Sequence, residues 1–144
     1  YGSSYVYPLS SIGSHVSACP NHQTFRSLPL KMRGDVAYFG TFGYELDLNT
    51  LNSEEQNEVK EQIRFMKKYR RLIHNGTFYR LRSPFRKNAD QVQDAAWMVV
   101  SQDKKQALLG NVFYPNVKQE TGVVTVALSN KTGEPYAVVE FTEA

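Results

Sequence analysis

The side chains most able to do chemistry lie in one polar segment near the start of the chain, Tyr7 to Arg26. It reads YPLSSIGSHVSACPNHQTFR, and its candidate contact residues are Ser14, His15, Asn21 and His22. Each of these side chains offers a hydrogen-bond donor, an acceptor or both, which suits contact with a polar substrate. The same groups could instead brace the segment by hydrogen bonds to its backbone and to adjacent loops. The sequence leaves both interpretations open.

A metal site and a cysteine nucleophile are two other interpretations of this segment. His15, Cys19 and His22 have a spacing that could suit zinc, but no fourth ligand is identifiable. Cys19 with a histidine base would need an orienting group, and the segment contains neither Asp nor Glu. We therefore predict no metal and no cofactor.

The nearest acidic residues follow the polar segment. We expect Asp35 in an outer helix, where it points to packing or solvent. Glu45 and Asp47 follow a glycine-rich turn, and we expect them to fix a helix connection. These positions therefore predict no pair of facing carboxylates within the chain.

The surrounding pattern predicts the elements that position the polar segment. Tyr5, Val6 and Tyr7 favour a short buried strand over Ser3 to Leu9, with Ser10 to Arg26 as a long loop. Pro29 can begin a helix that continues over Leu30 to Phe39, until Gly40 and Gly43 break it.

The clearest predicted helix starts at Ser53, which would form a capping box with Gln56, and ends at Asn75-Gly76. Its apolar stripe is Val59, Ile63, Met66, Tyr69 and Ile73.

From Thr77 onward the pattern predicts an antiparallel meander of short strands. The candidate strands are Phe78 to Leu81, Ala95 to Ser101, Gln106 to Phe113, Val123 to Leu128 and Tyr136 to Phe141. The expected core positions are Trp97, Val99, Leu108, Val124 and Val126. Trp97 could be a stacking platform for a ligand, but its apolar neighbours favour burial in the sheet.

Composition excludes several classes of protein. The 144 residues are 41% hydrophobic and 22% charged, as in a globular domain, and no apolar run approaches the roughly 18 residues of a membrane span. The net charge of +3 includes basic residues at the end of the long helix, whose first turns are acidic. This arrangement complements the helix dipole, so we predict no nucleic-acid partner, and the lack of a long apolar run predicts no membrane partner. The single cysteine favours a cytoplasmic location.

Four blocks of sequence span most of residues 7 to 101: YPLSSIGSHVSACPNHQT at 7–24, RGDVAYFGTFGYELDL at 33–48, KEQIRFMKKYRRLIHNGTFYRLRSPF at 60–85 and DAAWMVVS at 94–101. In order and spacing, these blocks resemble the α-galactosidases of glycoside hydrolase family 36. The resemblance implies an α+β fragment: the last strand and helices of a (β/α)8 barrel over residues 1–76, then a small antiparallel β-sandwich over 77–144. The chain departs from the family at Phe25, where glycine is usual, and after about Leu109, where the sandwich would be shortened or divergent.

The resemblance also implies a function for the complete protein. It would be a retaining α-galactosidase acting on galactosides such as melibiose and raffinose, with a homo-oligomer left open. The family's two catalytic aspartates lie on earlier barrel strands, so no residue here inherits a catalytic role and the isolated chain is expected to be inactive. Loops after barrel strands form the active-site face, which makes Ser14, His15, Asn21 and His22 candidates for the pocket rim. The alternative is a non-catalytic carbohydrate-binding or structural module derived from such an enzyme.

Overall fold

A computed structural model describes residues 1–85, 93–114 and 120–127, and side chains within 1–85 and 95–112. The strands and helices, in chain order, are β1 (Gly13–Ser17), α1 (Leu30–Ala37), β2 (Thr41–Glu45), α2 (Ser53–Asn75), β3 (Thr77–Arg82), β4 (Gln93–Val100), β5 (Gln106–Tyr114) and β6 (Glu120–Ala127). Short 3-10 turns occur at Ser3–Tyr5, Leu9–Ser11 and Leu48–Thr50.

The first strand lies later in the chain than the sequence pattern predicts. The predicted strand Ser3 to Leu9 is wrong, because this segment forms 3-10 turns and leaves Tyr5 63% and Val6 75% exposed. Strand propensity reflects packing on a sheet, and the described residues provide no such packing there. The actual strand, β1, lies inside the predicted loop Ser10 to Arg26.

β1 and β2 form a two-stranded parallel sheet, here called the parallel pair. α1 connects them, and the register places Gly13 beside Thr41 and Ser17 beside Glu45. The sequence analysis missed β2, because Gly40 and Gly43 were interpreted as breaks after a helix over Leu30 to Phe39. The order β1, α1, β2, α2 is the repeating unit from which α/β folds with parallel strands are built.

Helix α2 matches its prediction closely. Its end at Asn75 is confirmed, but the capping box uses Asn52 and Glu55, one residue earlier than the predicted pair. Of the predicted apolar stripe, Val59, Met66 and Ile73 are buried, Tyr69 is half-buried and Ile63 is 36% exposed. Within the described ranges, no helix is both long and apolar enough to cross a membrane.

β3 to β6 form an antiparallel sheet in chain order, as the meander prediction required. The predicted core positions Trp97, Val99 and Leu108 are confirmed as buried. The side chains of Val124 and Val126 and the predicted strand Tyr136 to Phe141 lie outside what the structure describes. The described strands of this region belong to a single sheet, so a sandwich stays a prediction.

The two helices lie between the two sheets. One core joins the helices to the antiparallel sheet, and its buried members include Met32, Met66, Ile73, Trp97 and Leu108. A second core joins them to the parallel pair through Val16, Leu30, Ala37 and Val59, with Phe42 and Tyr44 packed against it. Because the helices cover one face of the parallel pair, the side chains on its other face point away from both cores.

Gly76 marks the junction of α2 and β3, and we expect Gly76→Ala to destabilise it by about 2 kcal/mol. An added Cβ would lie 2.5 Å from the Leu72 carbonyl oxygen and 2.7 Å from that of Val100. Neither oxygen can retreat easily, because Leu72 O accepts from the Gly76 N–H and Val100 pairs with Thr77 in the sheet.

Peptide-level hydrogen exchange across this junction in the full-length protein measures the effect. Gly2→Ala is the matched control, since its added Cβ would make only an ordinary 3.8 Å contact with Phe85. Equal protection in the two variants would contradict the prediction.

Candidate functional site

Alternation along the parallel pair separates a helix-facing side from a polar, open side. Val16 and Tyr44 are neighbours in the register and both pack with the helices. Since successive side chains of a strand point to opposite faces, the residues that alternate with Val16 along β1 and with Tyr44 along β2 point away from the helices. This open face consists of Gly13, His15 and Ser17 on β1 and Thr41, Gly43 and Glu45 on β2.

A polar cluster lies where both strands of the parallel pair end. Ser17 is beside Glu45 in the register, and the Ala18 N–H donates to the Glu45 carbonyl oxygen over 3.1 Å. The Asn21 Nδ2 donates to the Ser17 Oγ over 3.2 Å. Ser17 and Asn21 are half-buried and Glu45 is exposed, so the cluster offers hydroxyl, amide and carboxylate groups to a ligand.

The structure corrects the expectation for Glu45 and confirms the one for Asp47. Glu45 does not fix a helix connection, because it belongs to β2 and lies on the open face. Asp47 does fix a connection, since its Oδ1 accepts the Asn49 N–H over 2.9 Å at the start of a 3-10 turn. Sequence reasoning missed Ser17 and Glu45 as candidate site residues. The signal that could have found them is that each is the last residue of a strand and lies on the open face, with Gly13 and His15 on β1 and with Thr41 and Gly43 on β2.

The four predicted rim residues do not form one cluster. His15 lies on the open face, and Gly43 opposite it makes room for the imidazole, because a Cβ there would approach His15 Cδ2 to 2.8 Å. Ser14 is on the helix-facing side, where a Cβ at Gly40 would lie 2.7 Å from the Ser14 Cβ. Their roles in substrate contact stay predictions.

Asn21 organises the loop that follows β1, residues 18–29. Its Oδ1 accepts the backbone N–H of Gln23 over 3.0 Å and that of Thr24 over 2.9 Å. The backbone N–H of Asn21 donates to the Arg26 carbonyl oxygen over 2.9 Å. His22 is exposed in the same turn. The bracing interpretation of the segment therefore applies to Asn21, which also reaches Ser17.

Cys19 is an exposed free thiol in the same loop. Among the residues that the structure describes, no three His, Cys, Asp or Glu side chains are grouped as a metal site would require.

Arg33 on α1 ties both ends of this loop to the helix. Its Nη1 donates to the Ser17 carbonyl oxygen, and its Nε donates to the Leu28 carbonyl oxygen over 3.1 Å. A guanidinium group has several donors in a fixed plane, so one side chain can hold two carbonyl groups at once. The loop is thus fixed against α1 at Ser17, the residue before it, and at Leu28 near its end.

Buried polar contacts hold the helices behind the parallel pair. The Tyr44 hydroxyl donates to Gln62 Oε1 over 2.9 Å, and Gln62 Nε2 donates to the Leu30 carbonyl oxygen over 3.2 Å and to Glu58 over 3.1 Å. Burial, with a smaller contribution from Glu58, raises the pKa of Tyr44 to about 12, so its hydroxyl stays a donor at neutral pH. Burial also raises the pKa of Glu58.

Asp35 was expected to point either into packing or to solvent, and it is buried. It forms an ion pair with Lys31 over 2.7 Å along α1. Asp35 and Glu58 therefore belong to the helix layer and not to the open face.

Comparison with known proteins extends the resemblance seen in the sequence. A family model described as Melibiase matches residues 1–76. The α-galactosidase AgaA of Geobacillus stearothermophilus is 53% identical over 109 residues, which are 76% of this chain and 14% of AgaA. The bifunctional α-galactosidase/sucrose kinase AgaSK of Mediterraneibacter gnavus is 44% identical over 138 residues, 96% of this chain and 14% of AgaSK.

Solved structures give the same result. A crystal structure of AgaA, a family 36 α-galactosidase, superimposes with a TM-score of 0.74 at 50% identity, over 80% of this chain and 15% of that one. An AgaA variant in complex with raffinose gives a TM-score of 0.73 at 51% identity, over 78% of this chain and 15% of that one. The chain spans about one seventh of the length of these relatives. With its family model matched over residues 1–76, this chain belongs to the Melibiase family and is related to the α-galactosidases of glycoside hydrolase family 36.

Proposed function

We propose that this chain is part of a retaining α-galactosidase and supplies the last strands and helices of its (β/α)8 barrel. The observation that carries the proposal is the parallel pair, whose helix-free face is polar and whose strands both end at the Ser17–Glu45 cluster. In such barrels, helices cover the outside of the strands and active sites lie at the carboxyl ends. The open face would then point into the barrel, with Ser17, Asn21 and Glu45 near the pocket.

The rest of the chain would support this segment. We propose a division at Gly76, with residues 1–76 as the end of the barrel and 77–144 as a C-terminal β-domain of sandwich type. The described strands of the second part pack on α1 and α2 through a shared core, which would hold the two helices against the parallel pair. A cytoplasmic location and a homo-oligomer fit the proposal but do not carry it.

The proposed reaction passes through a covalent galactosyl-enzyme intermediate. A retaining glycosidase uses two carboxyl groups about 5–5.5 Å apart, one as the nucleophile and one as the acid and then the base. The open face of the parallel pair carries one carboxylate, Glu45, so it does not supply such a pair. We assign both catalytic carboxylates to strands outside residues 1–144, and we assign Glu45 and Ser17 to binding the hydroxyl groups of the substrate, with Asn21 holding the Ser17 hydroxyl.

Hydrolysis of α-galactosides by the full-length protein tests this function. We expect it to release galactose from methyl α-galactoside, melibiose and raffinose, but not from methyl β-galactoside. NMR should detect the α-anomer of galactose first, because two successive inversions retain configuration. Initial release of the β-anomer would contradict the retaining mechanism, and absence of hydrolysis would contradict the function.

The isolated 144-residue chain is expected to show no turnover of the same substrates, since it would lack both catalytic carboxylates. The control is full-length protein assayed at equal molar concentration. Turnover by the pure chain would contradict the assignment of the carboxylates. Tight galactoside binding without turnover, with no activity in the full-length protein, would favour a carbohydrate-binding module instead.

A further inference from the structure

Phe25 combines two unfavourable features in the loop after β1. Its φ angle is 56°, in the left-handed region that residues with a Cβ avoid. Its side chain is also 81% exposed, more than any other large hydrophobic residue among those described. Packing against residues 1–85 explains neither feature, because the Phe25 side chain buries little of its surface against them.

The surrounding hydrogen bonds hold Phe25 in this conformation. Its N–H donates to the Asn21 carbonyl oxygen over 2.8 Å, and the Asn21 N–H donates to the Arg26 carbonyl oxygen over 2.9 Å, which closes the turn on both sides. Arg33 fixes the ends of the loop at Ser17 and Leu28. Residues whose neighbours hold them in sparsely populated backbone conformations cluster at active sites and ligand-binding positions.

The chemistry around Phe25 suits a neutral, hydroxylated ring. His22, Gln23 and Thr24 are exposed next to it in the same turn and offer uncharged donors and acceptors. The ring itself offers an apolar face on which the C–H groups of a pyranose can pack. The loop begins at the same end of the parallel pair at which the Ser17–Glu45 cluster lies. Asn21 hydrogen-bonds both to the turn and to Ser17.

We propose that Phe25 contacts the part of an α-galactoside beyond the galactose, by stacking on a pyranose ring of the leaving group. This inference rests on the proposed function, in which the Ser17–Glu45 cluster binds the galactose itself. Phe25 then determines specificity: it favours oligosaccharides, whose leaving group contains a sugar ring, over galactosides with a small leaving group. The strained backbone aims the ring and keeps it from collapsing onto the protein.

Substrate discrimination in the full-length protein tests the proposal. Phe25→Ala is expected to lower kcat/KM for raffinose and stachyose about tenfold, equivalent to about 1.4 kcal/mol of transition-state binding. For methyl α-galactoside, which has no second ring, the change is expected to stay within about twofold. Phe25→Tyr, which keeps the ring, should retain the discrimination of the unmodified protein.

Two further variants separate the ring from the backbone. Phe25→Gly relieves the strain and removes the ring, so it should lose discrimination as Phe25→Ala does while increasing hydrogen-exchange protection of the loop. Phe85→Ala removes another exposed phenylalanine, 72% exposed in the segment after β3, and should change no ratio of rates.

Equal rate changes for all substrates, or none, in Phe25→Ala would overturn the role of Phe25 while leaving the proposed function intact. Failure of the unmodified full-length protein to cleave methyl α-galactoside, raffinose and stachyose would overturn both.

Discussion

Replacing Trp97 with alanine is expected to lower the stability of the antiparallel layer by about 3–5 kcal/mol. The indole is 7% exposed and packs edge-on against Phe39, with ring centroids 5.3 Å apart. It lies opposite Gly110 in β5, where an added Cβ would approach Nε1 to 2.4 Å. Gly110 therefore leaves the space that the indole fills, and alanine at position 97 would leave a cavity between the sheet and the helix layer.

Hydrogen exchange of the β4 and β5 peptides in the full-length protein measures this loss. Trp97→Phe is the informative companion, because Trp97 Nε1 is buried without a hydrogen-bond partner among the described residues. Phenylalanine keeps an aromatic ring against Phe39 and removes that unpaired donor, so it should cost less than about half as much as alanine.

Leu81→Ala on β3 is the surface control, since Leu81 is 53% exposed, and it should change protection by less than about 0.5 kcal/mol. If Trp97→Ala and Leu81→Ala had the same effect, Trp97 could not be a core residue of the layer.

The parts of the fold that could be predicted from the sequence are the helix and strands whose buried residues are apolar and recur at regular intervals or in continuous runs. Helix α2 was predictable, because its apolar residues recur at helical intervals and its end is marked by Asn75-Gly76. The strands of the meander were predictable for a related reason: β4 and β5 carry runs of apolar residues between turn-forming segments. In both cases local preference and tertiary packing agree.

The parallel pair could not be predicted in the same way. β1 reads GSHVS and β2 reads TFGYE, and in each the alternate residues on the open face are small or polar. A strand with such a face resembles a loop in sequence, while the apolar residues Tyr5 and Val6 resemble a strand and form a 3-10 turn. The candidate site residues Ser17 and Glu45 were missed for this reason, because only the register between β1 and β2 brings them together.

At Phe25, the sequence indicated one feature of the loop after β1 but could not indicate the contacts that hold it. The departure from the family's usual glycine put the shape of the loop in doubt, and the φ angle of 56° shows that Phe25 adopts a backbone conformation that glycine permits more easily. The sequence could not indicate that Asn21 and Arg33 hold the turn in this conformation, because their partners are backbone N–H and carbonyl groups. Such contacts depend on chain geometry and leave no pattern in the side chains.

Glu45→Gln is expected to lower kcat/KM for every α-galactoside about 100-fold, which corresponds to about 2.7 kcal/mol. Glutamine has the shape of glutamate and keeps one acceptor oxygen, but it lacks the negative charge. A hydrogen bond to a charged group contributes about 1.5–3 kcal/mol, and the amide nitrogen that replaces the second carboxylate oxygen cannot accept a hydrogen bond from a substrate hydroxyl group. Because Glu45 is proposed to bind the galactose, large and small leaving groups should be affected equally, unlike in the Phe25 variants.

Glu61→Gln is the matched control for this change. Glu61 is an exposed carboxylate on α2 that pairs with Arg64, so its replacement should leave kcat/KM unchanged. The inhibition constant for free galactose gives a second readout, and it should rise in Glu45→Gln because the lost contact is made to the sugar itself. A folded Glu45→Gln protein with normal kcat/KM and normal galactose inhibition would show that the open face of the parallel pair does not contact the substrate. In that case the polar residues at the carboxyl ends of β1 and β2 would have to be explained by contacts within the protein, and the loop after β1 would lose its assignment to the pocket.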